Sequence, residues 1–362
     1  MKKPGFITGR QRSGPKFLEG PGSGVQSVKW PLLALSAILL YAFIFTPGFF
    51  KISITNGHLA GSLIDILKRA SPRLIVALGM TMVIATSGID VSVGSVAAIA
   101  GSLAVLVIRG GDITYLATQG KSSVSLILIV GAALMASAVC GLFNGVLVSA
   151  VGIQPIIATL ILMVTGRGVA SLITGGYVLT FEHPAYQALG SGYCFGVPIP
   201  VIISMMMFAL LLLLSRMTPL GLFIQSTGGN ATAARYTGIN AQMVRITVYS
   251  ISGICAGIAG MIYTADVQSA DPAQLGLFIE LEAILVVVMG GTRLSGGRFT
   301  LLGTVIASLI LQSIITTLLT QAVPVEYTLI FEALVVVVVL IVQSERLKTL
   351  SLRRKHKAKA LP

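Results

Sequence analysis

Asp90 and Ser92 stand inside the run Gly88-Ile89-Asp90-Val91-Ser92-Val93-Gly94, with long apolar sequence on either side. A carboxylate near the middle of an apolar layer costs about 2.5–3.5 kcal/mol on insertion scales, so its presence asks for a compensating role. An acid and a hydroxyl two residues apart can hydrogen-bond the hydroxyls of a polar solute. They can equally cap the helix that restarts at Gly94, where backbone N–H groups lack partners, and the two roles are compatible. The same cadence returns as Gly291-Thr292-Arg293-Leu294-Ser295-Gly296-Gly297, so both copies read Gly-x-x-x-Ser-x-Gly behind an aliphatic run. Backbone that leaves a helix inside a bilayer must line protein or a wet cavity, and paired breaks at Gly88, Gly94, Gly291 and Gly297 point to a duplicated pathway. Superposing the copies sets Arg293 opposite Asp90 and predicts an ion pair between them.

Asn144, Gln154, Thr159, Thr165 and Arg167 are spread through otherwise apolar sequence. Amides and hydroxyls suit an uncharged polyol better than an ion. The same groups also serve as hydrogen bonds between membrane helices. Arg167, between Gly166 and Gly168, lies close enough to the outer end of its segment to snorkel. The residues placed along a solute pathway are therefore Asp90, Ser92, Asn144, Gln154, Thr159 and Arg167.

Asn230 to Ile239 reads as a short helix with both ends marked. Asn230 is an N-cap, Ala231, Ala233 and Ala234 favour helix, and Gly238 can take the left-handed C-terminal position. Two turns are not stable alone, so the stub either needs a partner surface or is an exposed connecting turn. Catalytic and metal-binding patterns are missing. Gly120-Lys121-Ser122 resembles the end of a phosphate-binding loop, but Tyr115 holds the position of the required glycine and no strand precedes it, so the chain carries no nucleotide motor of its own. His58, His183 and His356 are scattered, and no G-x-S-x-G elbow occurs. Cys140, Cys194 and Cys255 lack metal-ligand spacing. No cofactor, metal or catalytic residue is expected.

The elements that must position these groups follow from composition. The chain has 362 residues, 55% hydrophobic and only 10% charged, with a mean hydropathy of +0.93. A soluble domain is about one-quarter charged, so lipid must replace water over most of this surface. Apolar runs lack the alternation of a barrel strand, which leaves an all-α polytopic bundle. Ten hydrophobic segments are expected, near 30–50, 72–88, 94–109, 123–151, 153–174, 200–216, 245–265, 280–290, 300–320 and 325–343. They form a membrane domain over 30–343, between a basic Gly/Pro-rich tail, 1–29, expected to be disordered, and a basic tail, 344–362. The segment from Trp30 has no cleavage site after it and is expected to remain as a first helix.

The net charge of +13 does not point to nucleic acid, because 13 of the 25 Lys and Arg residues lie in the two tails. Basic tails stay in the cytoplasm, which puts both termini inside and makes the crossings even in number. The 175–199 and 266–279 loops are then outside and 217–245 inside. Lys51, Lys68, Arg69 and Arg73 conflict with this arrangement. An interfacial helix over Leu59–Arg73, with Leu59, Leu63, Ile66 and Leu67 on one face, would accommodate them. If instead one short segment fails to cross, the repeats change from parallel to inverted, and the sequence leaves that open.

These residues carry a family resemblance over Trp30 to Arg346. The stretches are Gly79-Met80-Thr81, Ile84 to Gly94, Asn144-Gly145, Pro155 to Leu160, Gly229 to Ile239 and Val288 to Gly291. Through them the chain resembles the permease subunits of bacterial ABC sugar importers of the ribose, xylose and galactose group. Ile156 to Val164, Gly166 to Gly168 and Gly276 to Leu285 look most like galactofuranose permeases. The resemblance implies a second permease subunit, identical or paralogous, ATP-binding subunits on the cytoplasmic face, and a periplasmic sugar-binding protein. It also makes the 230–239 stub look like a coupling helix, with Asn230, Ala233, Ala234, Arg235, Gly238 and Ile239 engaging the ATPase. The long basic N-terminal tail departs from the family pattern. The rival class is an ion-coupled secondary transporter using Asp90, Glu280, Glu282, Glu326 or Glu332.

Overall fold

The computed structural model describes residues 23–45, 49–51, 53–55, 58–113 and 124–321, with 324, 327, 330, 333–334 and 337 beyond them. The Gly120-Lys121-Ser122 run, Glu326, Glu332, His356, residues 1–22 and most of the 325–343 segment lie outside the described residues. The described residues form twelve helices: α1 (Ser23–Phe45), α2 (Ser62–Ala85), α3 (Val93–Ile108), α4 (Leu126–Val146), α5 (Pro155–Thr174), α6 (Pro184–Ser191), α7 (Ile199–Met217), α8 (Leu220–Gly229), α9 (Ala231–Tyr236), α10 (Ala241–Val267), α11 (Ile279–Met289) and α12 (Leu301–Thr320). Five are long and apolar enough to cross a membrane: α4 with its π-helical extension to Val151, then α5, α7, α10 and α12. The helical membrane bundle expected from composition is therefore present.

Helix ends follow local chemistry. Pro155 starts α5 at its first position, and left-handed Gly175 ends it. Asn240 caps α10 by accepting from the Gln242 and Met243 backbone N–H groups, each at 3.1 Å. α10 is the helix around which the others gather, packing against α2, α3 and α4. Its contact with α4 runs through small residues: Ser137, Gly141 and Gly145 on α4 against Gly253 and Gly257 on α10. A Cβ at Gly141 would overlap the Tyr249 carbonyl, and one at Gly253 would overlap the Ser137 carbonyl. Such close backbone approach replaces the hydrophobic drive that lipid removes.

The connecting segments gather at two opposite ends. At one end the hairpin β1 (Ser53–Thr55) and β2 (His58–Ala60) bonds through Leu59 N–H to the Gly196 carbonyl. Beside it β3 (Leu179–Thr180) pairs with β6 (Ser269–Ala270), and β4 (Tyr193–Cys194) with β5 (Val197–Pro198). At the other end lie α8, α9 and both Gly-rich breaks.

Two sequence expectations need correction. No separate interfacial helix covers Leu59–Arg73, because α2 begins at Ser62 and continues through Pro72 to Ala85. Two of the four conflicting cations are absorbed by partners that sequence order does not reveal: Lys68 pairs with Asp266 at 2.8 Å, and Arg73 with Glu282 at 2.5 Å. The 266–279 connection is also more than an outer loop. From β6, which packs with Ile108 at the end of α3, the chain turns back along α3 until Leu275 meets Gly101 and Gly276 meets Gly94. At 1.5 Å per helical residue that descent is about 20 Å. The small faces of Gly94, Ala97 and Gly101 make room for it, a tertiary fit that hydropathy cannot register.

Gly253→Leu, which forces α10 away from Ser137, should destabilise the detergent-solubilised protein by about 1–3 kcal/mol or prevent its accumulation. Leu128→Ala, on the exposed face of α4, should leave the thermal midpoint nearly unchanged in the same measurement.

Candidate functional site

The first break occupies residues 86–92, between α2 and α3. Thr86 ends α2, and Ser87 takes a left-handed φ of 63° that turns the chain. Asp90 then bends back on its own segment, accepting from the Ser92 backbone N–H at 3.1 Å and from Ser92 Oγ at 2.6 Å. Ser252 Oγ of α10 donates to its other oxygen at 2.9 Å. Asn144 Nδ2 of α4 donates to Ser92 Oγ at 2.7 Å and lies 3.5 Å from Asp90 Oδ1. Asp90, Ser92 and Asn144 are all essentially without solvent exposure. A carboxylate can be kept in such a place only by several good donors, and here every one is neutral.

Asn144 Oδ1 and Glu280 Oε2 are buried without a hydrogen-bond partner among the described residues. Thr159 closes the side of the break on α5, accepting from the Val91 N–H at 3.2 Å. Gln154 sits lower, lining a cavity of about 290 Å3 with Thr86, Gly88, Ser149, Arg245 and Tyr249. The structure thus gathers Asp90, Ser92, Asn144 and Thr159 into one cluster, with Gln154 in the cavity next to it. Arg167 is not in that cluster. Its Nη1 donates to the Leu275 carbonyl at 2.5 Å, fastening the descending 271–278 chain to α5.

The predicted Asp90–Arg293 pair does not form. Arg293 lies in an exposed stretch, whereas Asp90 faces into the bundle. The two breaks do meet, through backbone. Ser87 Oγ lies 2.8 Å from the Ser295 carbonyl and 2.9 Å from the Gly228 carbonyl, and Gly297 N–H donates to the Ala85 carbonyl at 2.9 Å. A side chain at Gly228 would collide with the Ala85 carbonyl.

Gly228 lies in the last turn of α8, two residues before Asn230 caps α9. Asn230 Oδ1 accepts from Ala233 N–H at 3.0 Å. At the far end Gly238 has φ 85°, while Gly238 N–H bonds the Arg235 carbonyl and Ile239 N–H bonds the Ala234 carbonyl. Ala234 faces inward, and Ala233, Arg235 and Tyr236 face out, Tyr236 at 88% exposure.

The chain matches the family model described as branched-chain amino acid transport system / permease component over residues 62–340. The chain belongs to this permease family. Relatives extend the match over almost the whole chain. The galactofuranose transporter permease protein of Escherichia coli K12 is 43% identical over 337 residues, 92% of this chain and 95% of that protein. The fructose import permease protein of Bifidobacterium longum is 37% identical, covering 91% of each chain. The ribose import permease protein of Escherichia coli K12 is 35% identical, covering 87% of this chain and 93% of its own. No solved structure matches. The permease resemblance carried by residues 79–94, 144–145, 155–160, 229–239 and 288–291 is thereby borne out, and the chain is a transport subunit, not an enzyme.

Sequence reasoning missed Ser252, Tyr249 and the Arg73–Glu282–Gln312 group. Ser252 sits in a run of small residues and is 162 positions from its partner Asp90, so no spacing rule reaches it.

Asp90→Ala leaves the Ser92 and Ser252 donors unpaired, at about 1–3 kcal/mol for each. A lower thermal midpoint in detergent and loss of transport are expected. Asp90→Asn keeps one acceptor oxygen and should retain most of the stability. If Asp90→Ala is as stable as the parent, the cluster does not hold the break.

Proposed function

We propose that this chain is the membrane-spanning subunit of an ATP-driven, binding-protein-dependent importer of a neutral monosaccharide in a bacterial cytoplasmic membrane. The observation that carries it is the junction of Ser87, Gly228 and Ser295, which ties both breaks to the exposed α9 stub in a chain without a nucleotide motif. Force enters at α9 and reaches both breaks through backbone contacts. The α9 end is then cytoplasmic, both termini share that side, and the crossings number ten. The two breaks form parallel copies, because α2 and α11 each run toward that end and α3 and α12 run away from it.

ATP-binding subunits dock on α9 through Ala233, Arg235 and Tyr236, while Asn230, Ala234, Gly238 and Ile239 hold the stub's shape. A periplasmic sugar-binding protein meets the opposite end, and a second permease subunit and lipid cover the apolar outer faces of α4, α5 and α7. Relatives named for galactofuranose, fructose and ribose support a monosaccharide cargo, with galactofuranose the first to test. The uncharged donors around Asp90 fit such a cargo.

A secondary transporter coupled to protons or sodium draws support from the unpaired Glu280 oxygen and the desolvated Asp90. Copurification decides between the two. The complex should contain an ATPase subunit whose hydrolysis rises when binding protein and the cognate sugar are added together. Sugar uptake driven by an ion gradient in vesicles lacking that ATPase would overturn the importer reading. In the assembled complex, Arg235→Glu or Tyr236→Ala should cut the stimulated hydrolysis about tenfold while leaving the thermal midpoint in place, as expected for loss of interface anchors.

A further inference from the structure

Non-helical backbone deep in a membrane bundle persists only where it is packed in protein or lines a cavity. The 271–278 chain does both. On one side it lies against α3 and is fastened by Arg167. On the other it walls a cleft of about 280 Å3 together with Arg73 of α2, Tyr263 of α10 and Glu282 of α11. α11 is short because the chain reaches the bundle interior before becoming helical, turning into it through Phe278 at φ 64°.

The cleft has the chemistry of a hydroxyl-binding site. Arg73 and Glu282 form its charged wall, with side chains only 10% and 24% exposed, and Gln312 accepts from Arg73 Nη1 at 2.9 Å behind them. Asp271, Gln274 and Ser269 supply further polar groups, and Tyr263 supplies a ring. The volume lies at the small end for ligand pockets, which begin at about 300 Å3, and suits one sugar ring. Arg73 and Glu282 are already committed to each other at 2.5 Å. A zwitterionic amino acid would have to split that pair to place its own charges, whereas hydroxyls that both donate and accept can join it intact.

Beneath the cleft, Glu280 Oε2 and the Gly276 carbonyl crowd the Cα of Gly94. That oxygen is buried without a partner, so a polar acceptor waits between the cleft and the break at Asp90.

We propose that this cleft is the site where the permease itself receives the sugar at the β-hairpin end of the bundle. It rests on the importer reading and adds to it a location and a set of contacts.

The test uses membrane vesicles holding the assembled transporter and a membrane-impermeant maleimide applied from the β-hairpin end. Gln274→Cys is labelled in a Cys194→Ser background, with Leu277→Cys as a second reporter should the first fail to accumulate. Native Cys194 of the unsubstituted chain, exposed at the same end but outside the cleft, is labelled separately as the control. Ribose, fructose, allose, galactose and leucine serve as probes. One monosaccharide is expected to slow labelling of the cleft cysteine about tenfold when present near ten times its dissociation constant, with Cys194 unaffected. Glu282→Gln should abolish that protection.

ATP-dependent sugar uptake in vesicles whose cleft cysteines no sugar protects overturns the cleft and leaves the importer reading standing. Protection by leucine alone overturns the sugar assignment. Vesicles that neither accumulate sugar nor show protection overturn both.

Discussion

Backbone that leaves a helix inside an apolar bundle must find its hydrogen bonds in protein, and the two Gly-rich breaks find theirs in local turns, in neighbouring side chains and at one point in each other. Ser87 reaches the carbonyls of Ser295 and Gly228, and Gly297 donates to Ala85. The main chain of α8 passes so close to the Ala85 carbonyl there that Gly228 cannot carry a side chain. The same constraint decides where α2, α8 and α11 stop. It also places α9 next to both breaks, so a displacement of the stub is felt at the two of them at once.

The Asp90 cluster meets a second form of the constraint. A buried carboxylate is tolerated if enough donors surround it, and a nearby cation is not the only way to provide them. Here the donors come from the break itself, from α4 and from α10. Removing one helix would undo the solvation of the charge. The cluster therefore locks the relative positions of α3, α4 and α10, whose close approach depends on Ser137, Gly141, Gly253 and Gly257. Packing and polar satisfaction are one requirement at this point.

The opposite end handles charge differently. Lys68 and Asp266 form a partly exposed pair that contributes little. Arg73 and Glu282 are withdrawn into the bundle, and Gln312 completes the group. Together they hold α2, α11 and α12 around the descending 271–278 chain. Each end of the molecule thus has its own irregular backbone, one knitted to the exposed stub and the other lining a cleft, with the Asp90 cluster and Gly94 between them.

Much of this was legible in order along the chain. Composition specifies a membrane bundle because charge is too scarce to clothe a soluble surface. The caps of α9 could be read directly, since Asn230 and Gly238 act within a few residues of themselves. Asp90 and Ser92 were also visible as a local pair. Sequence could not reveal which distant groups complete them. Repeat symmetry nominated Arg293 for Asp90, but tertiary packing supplied Ser252 and Asn144 instead. The same limit hid the Arg73–Glu282 pair and the descent of Leu275 and Gly276 along α3. Local hydrogen bonds and hydropathy are properties of neighbours in sequence, whereas the solvation of a buried charge and the depth of a loop are set by whichever helices the fold brings alongside.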